Sequence, residues 1–107
     1  PLACAAALAT IEVIEADNLP GRAAELGEQL MLGLKEIQSP KVRDVRGLGL
    51  MVAVELRGPA APHLAALADN GVLALSAGAN VMRFLPPLVI SPADVRTVVE
   101  QVAHVLQ

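Results

Sequence analysis

The sequence predicts one α+β domain, a small and mainly antiparallel sheet with helices packed on one face. Three observations predict it: helical periodicity in separate segments, alternation of apolar and polar residues in short ones, and Gly or Pro at nearly every junction. At 107 residues the chain has room for one domain.

Leu2 to Asp17 holds no breaker and is rich in Ala, the best helix former. Its first half is apolar on every side, the pattern of a helix covered all round. Asn18-Leu19-Pro20-Gly21 interrupts the chain, and Arg22 to Ile37 follows as an amphipathic helix with Ala23, Leu26, Leu30, Leu34 and Ile37 on one stripe. Ser39-Pro40 ends it. A short strand, Val42 to Val45, then meets a bend at Gly47-Leu48-Gly49. Leu50 to Leu56 alternates, with Leu50, Val52, Val54 and Leu56 pointing one way and Met51, Ala53 and Glu55 the other.

Ala60 to Asn70 reads as a third helix stopped by Gly71, with Leu64 and Leu67 inward. Val72 to Leu75 and Val81 to Leu85 read as strands around a turn at Ser76 to Asn80, and Leu88 to Ile90 as a brief extended run after Pro86-Pro87. The last helix has the clearest start: Ser91 to cap, Pro92 at the first helical position, and Asp94 in the first turn. Val95, Val98, Val99, Val102 and Leu106 form its apolar stripe. The resulting order is ααββαββα.

Composition narrows the function. The chain is 54% hydrophobic and 18% charged, which excludes disorder. Either it buries surface against something outside itself, or it comes from a proteome rich in Ala and Leu. A net charge of −3, scattered basic residues and a single aromatic, Phe84, argue against nucleic-acid binding. No apolar run approaches the ~20 residues that span a bilayer. Pro1 to Ala9 lacks the basic start of a signal peptide, and the absence of an initial Met suggests a chain that begins inside a larger protein. A lone cysteine, Cys4, excludes an internal disulfide and suits the cytoplasm.

Candidates for chemistry are few. His63 and His104 have no ligand-type neighbours at metal-site spacing and read as surface helix residues, so no metal site is expected. Cys4, in an apolar helix, reads as a buried and inert thiol. Lys35 and Lys41 read as solvated, whereas a Schiff-base lysine needs a desolvated pocket. Arg83 stands apart. It lies within the apolar run Val81-Met82-Arg83-Phe84-Leu85, sharing a face with Val81 and Leu85. Two readings are open: an arginine that pairs with a local acid or reaches for water, or a fork that binds a carboxylate through two parallel hydrogen bonds.

Pro1-Leu2-Ala3 before an Ala-rich helix, Val45-Arg46-Gly47-Leu48-Gly49-Leu50-Met51, and Met82-Arg83-Phe84-Leu85-Pro86-Pro87-Leu88-Val89-Ile90 occur in the order and spacing of a known family. Across essentially its whole length the chain resembles the C-terminal small domain of class III, pyridoxal-phosphate-dependent aminotransferases. The branch it most resembles acts on acetylornithine, or on aminoadipate semialdehyde attached to the carrier protein LysW; ornithine and succinylornithine enzymes are related alternatives.

The resemblance implies the small domain of a fold-type-I pyridoxal-phosphate transferase over residues 18–107, with residues 1–17 as a helix leading in from a large domain. It implies amino-group exchange with 2-oxoglutarate, in arginine or lysine biosynthesis, by a homodimer. Only Arg83 maps to a functional position, as the residue that binds the substrate's α-carboxylate. The family's catalytic lysine and its main cofactor contacts belong upstream of Pro1, so this chain alone is expected to be catalytically silent, with no catalytic or cofactor-binding residue of its own. A free-standing α+β module that holds a small carboxylate through Arg83 is the alternative.

Overall fold

The computed structural model describes all 107 residues. Its elements are α1 (Leu2–Ala16), α2 (Leu19–Lys35), β1 (Val42–Leu48), β2 (Met51–Leu56), α3 (Ala61–Asp69), β3 (Leu75–Ser76), β4 (Val81–Phe84) and α4 (Pro92–Leu106). The strands form one antiparallel sheet in the order β1-β2-β4-β3. The α+β architecture and the ααββαββα order are those predicted.

One face of the sheet carries the core. Val45 of β1, Val52 and Val54 of β2, and Met82 and Phe84 of β4 are buried on it. Leu26, Leu30 and Leu34 of α2 cover that face together with Val95, Val102 and Leu106 of α4. Each helix presents residues three or four positions apart, so a single stripe is buried. Leu67 of α3 closes one end of the core. The sheet's other face is the more open one, and Met51, Leu75 and Leu85 on that side are exposed.

Several boundaries differ from expectation for local physical reasons. Helix α2 begins at Leu19, because Pro20 falls in the first turn, where its missing N–H is no loss. The break is Asp17-Asn18, and Asn18 turns the chain in the left-handed region with a φ of 47°. Strand β1 runs on through Gly47 to Leu48, which pairs with Met51 around a two-residue turn at Gly49-Leu50. Gly49 has φ of 54° there, and a Cβ on Gly47 would press into the β2 backbone at Met51 and Val52. The predicted bend at these glycines is therefore a hairpin. The strand expected at Val72 to Leu75 is reduced to Leu75–Ser76, since the β3–β4 ladder pairs only Leu75 with Arg83 and Ser76 with Met82. Leu88 and Val89 form a turn, closed by the Ile90 amide donating to the Pro87 carbonyl, where an extended run was expected.

Helix α1 differs from the rest. It has no buried residue, and it meets the layered body mainly through α2. Leu2, Leu8, Ile11 and Val13 are all at least half exposed. Cys4, expected to be buried, is exposed, because nothing in this chain packs over α1. No helix is long and apolar enough to cross a membrane.

Candidate functional site

The open face of the sheet carries Arg83, the one site residue expected from the sequence. Register places Arg46, Ala53, Arg83 and Leu75 in one row across β1, β2, β4 and β3. Asp44, Glu55 and Val81 form the neighbouring row. Arg83 therefore rises between the small side chain of Ala53 and the exposed Leu75. Met82 and Phe84, on either side of it in sequence, anchor the strand in the core at 0% and 3% exposure. Beyond β4, the Arg22 guanidinium donates to the Ile90 carbonyl at 3.0 Å and ties the following segment to α2.

Arg83 itself is half-buried, and its Nε is buried without a hydrogen-bond partner. It joins none of the ion pairs in the structure. That outcome bears on both sequence readings, because no local acid pairs with it. A buried N–H left unpaired costs about 1–3 kcal/mol. A bidentate carboxylate would satisfy a planar fork of this kind.

Glu55, diagonal to Arg83 in the register, is otherwise engaged. Glu55 Oε2 accepts from Arg46 Nη1 at 2.7 Å, and Glu55 Oε1 lies 3.2 Å from Arg43 Nη1. Arg46 Nη1 also donates to Asp44 Oδ2 at 3.0 Å. The hydrogen bond to Glu55, then that to Asp44, raises the Arg46 pKa above its ordinary value. Sequence reading gave none of these four residues a role at the site, although Arg46 stood within the motif Val45 to Met51. Their signal was present in the alternation of Asp44 and Arg46 along β1 opposite Glu55 in β2, but it becomes visible only when the hairpin register is known.

The remaining candidates do not converge. His104 is exposed on α4 and His63 half-buried on α3, less exposed than expected of a surface residue. No group of three or more His, Cys, Asp or Glu side chains is placed to hold a metal ion. Lys35 is exposed on α2, and the Lys41 ammonium donates to the Gln107 carbonyl at 2.7 Å. Neither lysine is a member of the Arg83 row. A separate groove lined by Leu30, Phe84, Ile90 and Val95 offers apolar surface, and its one charged lining residue is Asp94. A groove with that charge does not suit a carboxylate.

Comparison with known proteins agrees with the fold and with the family resemblance. Residues 1–106 match the aminotransferase class-III family. Ornithine aminotransferase 2 of Staphylococcus aureus and the ornithine aminotransferase of Bacillus subtilis are each 42% identical over the whole chain. The chain spans about a quarter of these relatives, 27% of their length. Among solved structures, the acetylornithine aminotransferase of Elizabethkingia anophelis superposes with a TM-score of 0.95 at 30% identity, covering 99% of this chain and 28% of that one. The ornithine aminotransferase of Toxoplasma gondii, with partial occupancy of pyridoxal phosphate at its active site, gives a TM-score of 0.92 at 32% identity over 99% of this chain and 26% of that one. By family match, by identity and by superposition, this chain belongs to the class III aminotransferases.

Proposed function

We propose that this chain forms the small-domain side of an aminotransferase active site, in which Arg83 binds the α-carboxylate of the amino acid and of 2-oxoglutarate. The observation that supports this is the unpartnered Nε of Arg83 on an otherwise apolar strand, β4. Binding would supply the partners that the fold withholds, and would fix the substrate's orientation through two parallel hydrogen bonds. Ala53, adjacent in the row, has a small side chain that would crowd a ligand on the guanidinium less than a larger residue.

The amino donor on this reading is ornithine or acetylornithine, or the carrier-linked aminoadipate semialdehyde in the reverse sense. Matches named for both ornithine and acetylornithine support the first two. Ornithine, acetylornithine and 2-oxoglutarate all present an α-carboxylate, so Arg83 serves each of them and does not choose among them. Choice must lie with residues that touch the other end of the substrate.

Pyridoxal phosphate is the cofactor the family implies, and the residues present do not fit the task of holding it. Lys35 faces solvent on α2, and the ammonium of Lys41 is tied to the chain's own last carbonyl. We therefore assign the cofactor contacts to the large domain of a longer subunit, with residues 1–17 as the helix that joins it to residues 18–107. The bare apolar surface of α1 supports that assignment over a free-standing module, which would leave a patch inviting association. A cytoplasmic homodimer completes the proposal.

The test is Arg83→Lys in the intact enzyme. It keeps the charge and loses the fork, and is expected to weaken carboxylate binding by about 1.5–3 kcal/mol. Steady-state parameters equal to wild type for both amino donor and 2-oxoglutarate would remove Arg83 from the site.

A further inference from the structure

The stretch that follows Arg83 has little support of its own. Arg83 is the last residue of β4 paired with β3, and Phe84 the last paired with β2. Pro86 and Pro87 have no N–H with which to continue either ladder. From Leu85 to Ile90 the backbone makes a single hydrogen bond to other backbone, from the Ile90 amide to the Pro87 carbonyl at 3.0 Å. Leu85, Leu88 and Val89 are exposed, and only Ile90 of this segment is buried.

One contact from elsewhere holds it. The Arg22 guanidinium donates to the Ile90 carbonyl at 3.0 Å, across 68 positions of sequence. Arg22 stands there against local preference. It is the fourth residue of α2, near the end of the helix where the macrodipole disfavours a cation. It takes part in none of the ion pairs, so no acid explains its place. Its backbone is fixed, because its amide donates to the Asn18 carbonyl at 3.0 Å and Leu19 beside it is buried. The clamp on Ile90 thus starts from a rigid turn and uses a charged donor, the stronger kind of hydrogen bond.

We infer that Arg22 is a positioning residue for Arg83. By holding the Ile90 carbonyl it fixes the Leu85–Ile90 segment, and through that segment the end of β4 from which Arg83 projects. The inference rests on the reading of Arg83 as a carboxylate receptor. A planar fork recognises a carboxylate by direction as well as charge, since both hydrogen bonds must form in parallel. β4 is only four residues long, and Arg83 is one residue from its end. Beyond Ile90 the chain is secured by the Ser91–Asp94 capping box of α4. Without Arg22, the span from Phe84 to Ser91 keeps only the Ile90 side chain and one turn hydrogen bond.

The experiment uses the intact enzyme, with 2-oxoglutarate as probe because it is common to every amino donor considered. Arg22→Met keeps a long stem and removes the donors. It should lower kcat/KM for 2-oxoglutarate roughly three- to tenfold. Hydrogen exchange at the Leu88, Val89 and Ile90 amides should quicken. Arg22→Lys should recover kcat/KM to within about twofold of wild type, since the contact is one hydrogen bond rather than a fork. Arg22→Gln, a milder change, is read in the same way if Arg22→Met does not fold.

A loss that acts through Arg83 vanishes when the fork is already gone. In an Arg83→Lys background, Arg22→Met should therefore change kcat/KM by less than about twofold. A merely structural loosening lowers it by the same factor in both backgrounds, and that result overturns the proposal. So does wild-type kcat/KM or unchanged exchange in Arg22→Met, or no recovery in Arg22→Lys. If Arg83→Lys alone leaves kcat/KM for 2-oxoglutarate at the wild-type value, the carboxylate reading falls and the positioning role with it. If Arg83→Lys lowers it while Arg22→Met acts additively or not at all, only the positioning role falls.

Discussion

Replacing Gly27 with alanine sets two effects of known size against each other. Gly27 is buried in the middle of α2, where alanine is intrinsically favoured by about 0.8–1.0 kcal/mol. Propensity alone therefore predicts a more stable protein. Yet a Cβ at this position would run into the carbonyl of Gly49 and lie 2.8 Å from its Cα. Those atoms are backbone and cannot rotate away. The turn they belong to is held by a φ of 54° and by the β1–β2 ladder on both sides. Overpacking of this kind costs about 1–3 kcal/mol, and a backbone obstacle puts it in the upper part of that range.

The net expectation is a loss of about 1–2 kcal/mol, or a Tm lower by roughly 5–15 °C for a domain of this size. Gly33→Ala is the matched control. It lies on the same helix, but its Cβ would meet the Val99 side chain at 2.8 Å, and that side chain is half-buried and can shift. Propensity and crowding there should nearly cancel, to within about 0.5 kcal/mol. Urea unfolding followed by circular dichroism gives both values. If the two alanines change stability equally, or if Gly27→Ala stabilises, then α2 does not seat directly on the Gly49 turn and the packing argument fails.

Further outcomes follow from the core and the last helix. Met82→Ala, at a position with no exposure between the sheet and its helices, should cost about 2–5 kcal/mol by urea unfolding, and a cost under 1 kcal/mol would mean that the core collapses around it. Ser91→Ala removes the acceptor for the Asp94 amide and should cost about 1 kcal/mol. The hydroxyl and amide of Ser91 both donate to Asp94 Oδ2 and hold that carboxyl below its ordinary pKa. Because the folded-state value is the lower one, the stabilisation is complete above a pH of about 4 and is lost as the pH falls through the folded-state value. The stability gap between wild type and Asp94→Asn should therefore close on acidification, and a gap that stays constant would show that the box does not depend on the charge.

Most of the layered body was legible because periodicity records which side is buried. Leu26, Leu30 and Leu34 on α2, and Val52, Val54 and Leu56 on β2, face inward as their spacing requires. Strand ends were harder. Val72 to Leu75 looks like a strand, but only its last residue finds a partner, since pairing is decided by a neighbour far along the chain. Cys4 fails for a related reason, in that an apolar helix signals a cover without saying whether this chain supplies it. At the site, Arg83 was visible as a charge inside an apolar run. The arginines and acids beside it were not, because Arg43, Asp44 and Arg46 look like an ordinary solvated edge until register sets them against Glu55.

The proposed role of Arg83 would separate stability from binding by the two faces of the sheet, and that separation can be tested at Arg83. Core residues point one way from β4, and Arg83 points the other. If the arginine is present for a ligand, its unpaired Nε is a cost to the folded chain rather than a support. Arg83→Met removes that buried N–H and keeps an unbranched apolar stem between Ala53 and Leu75. Partial exposure limits the gain, so stability should rise by about 0.5–1 kcal/mol, a fraction of the full penalty for an unpaired group. The same change should abolish carboxylate recognition in the intact enzyme. Loss of stability by more than about 1 kcal/mol would instead make Arg83 a structural arginine, one that supports β4 through packing of its stem. A gain in stability with a loss of binding is the pattern of a residue placed for a partner that folding does not provide.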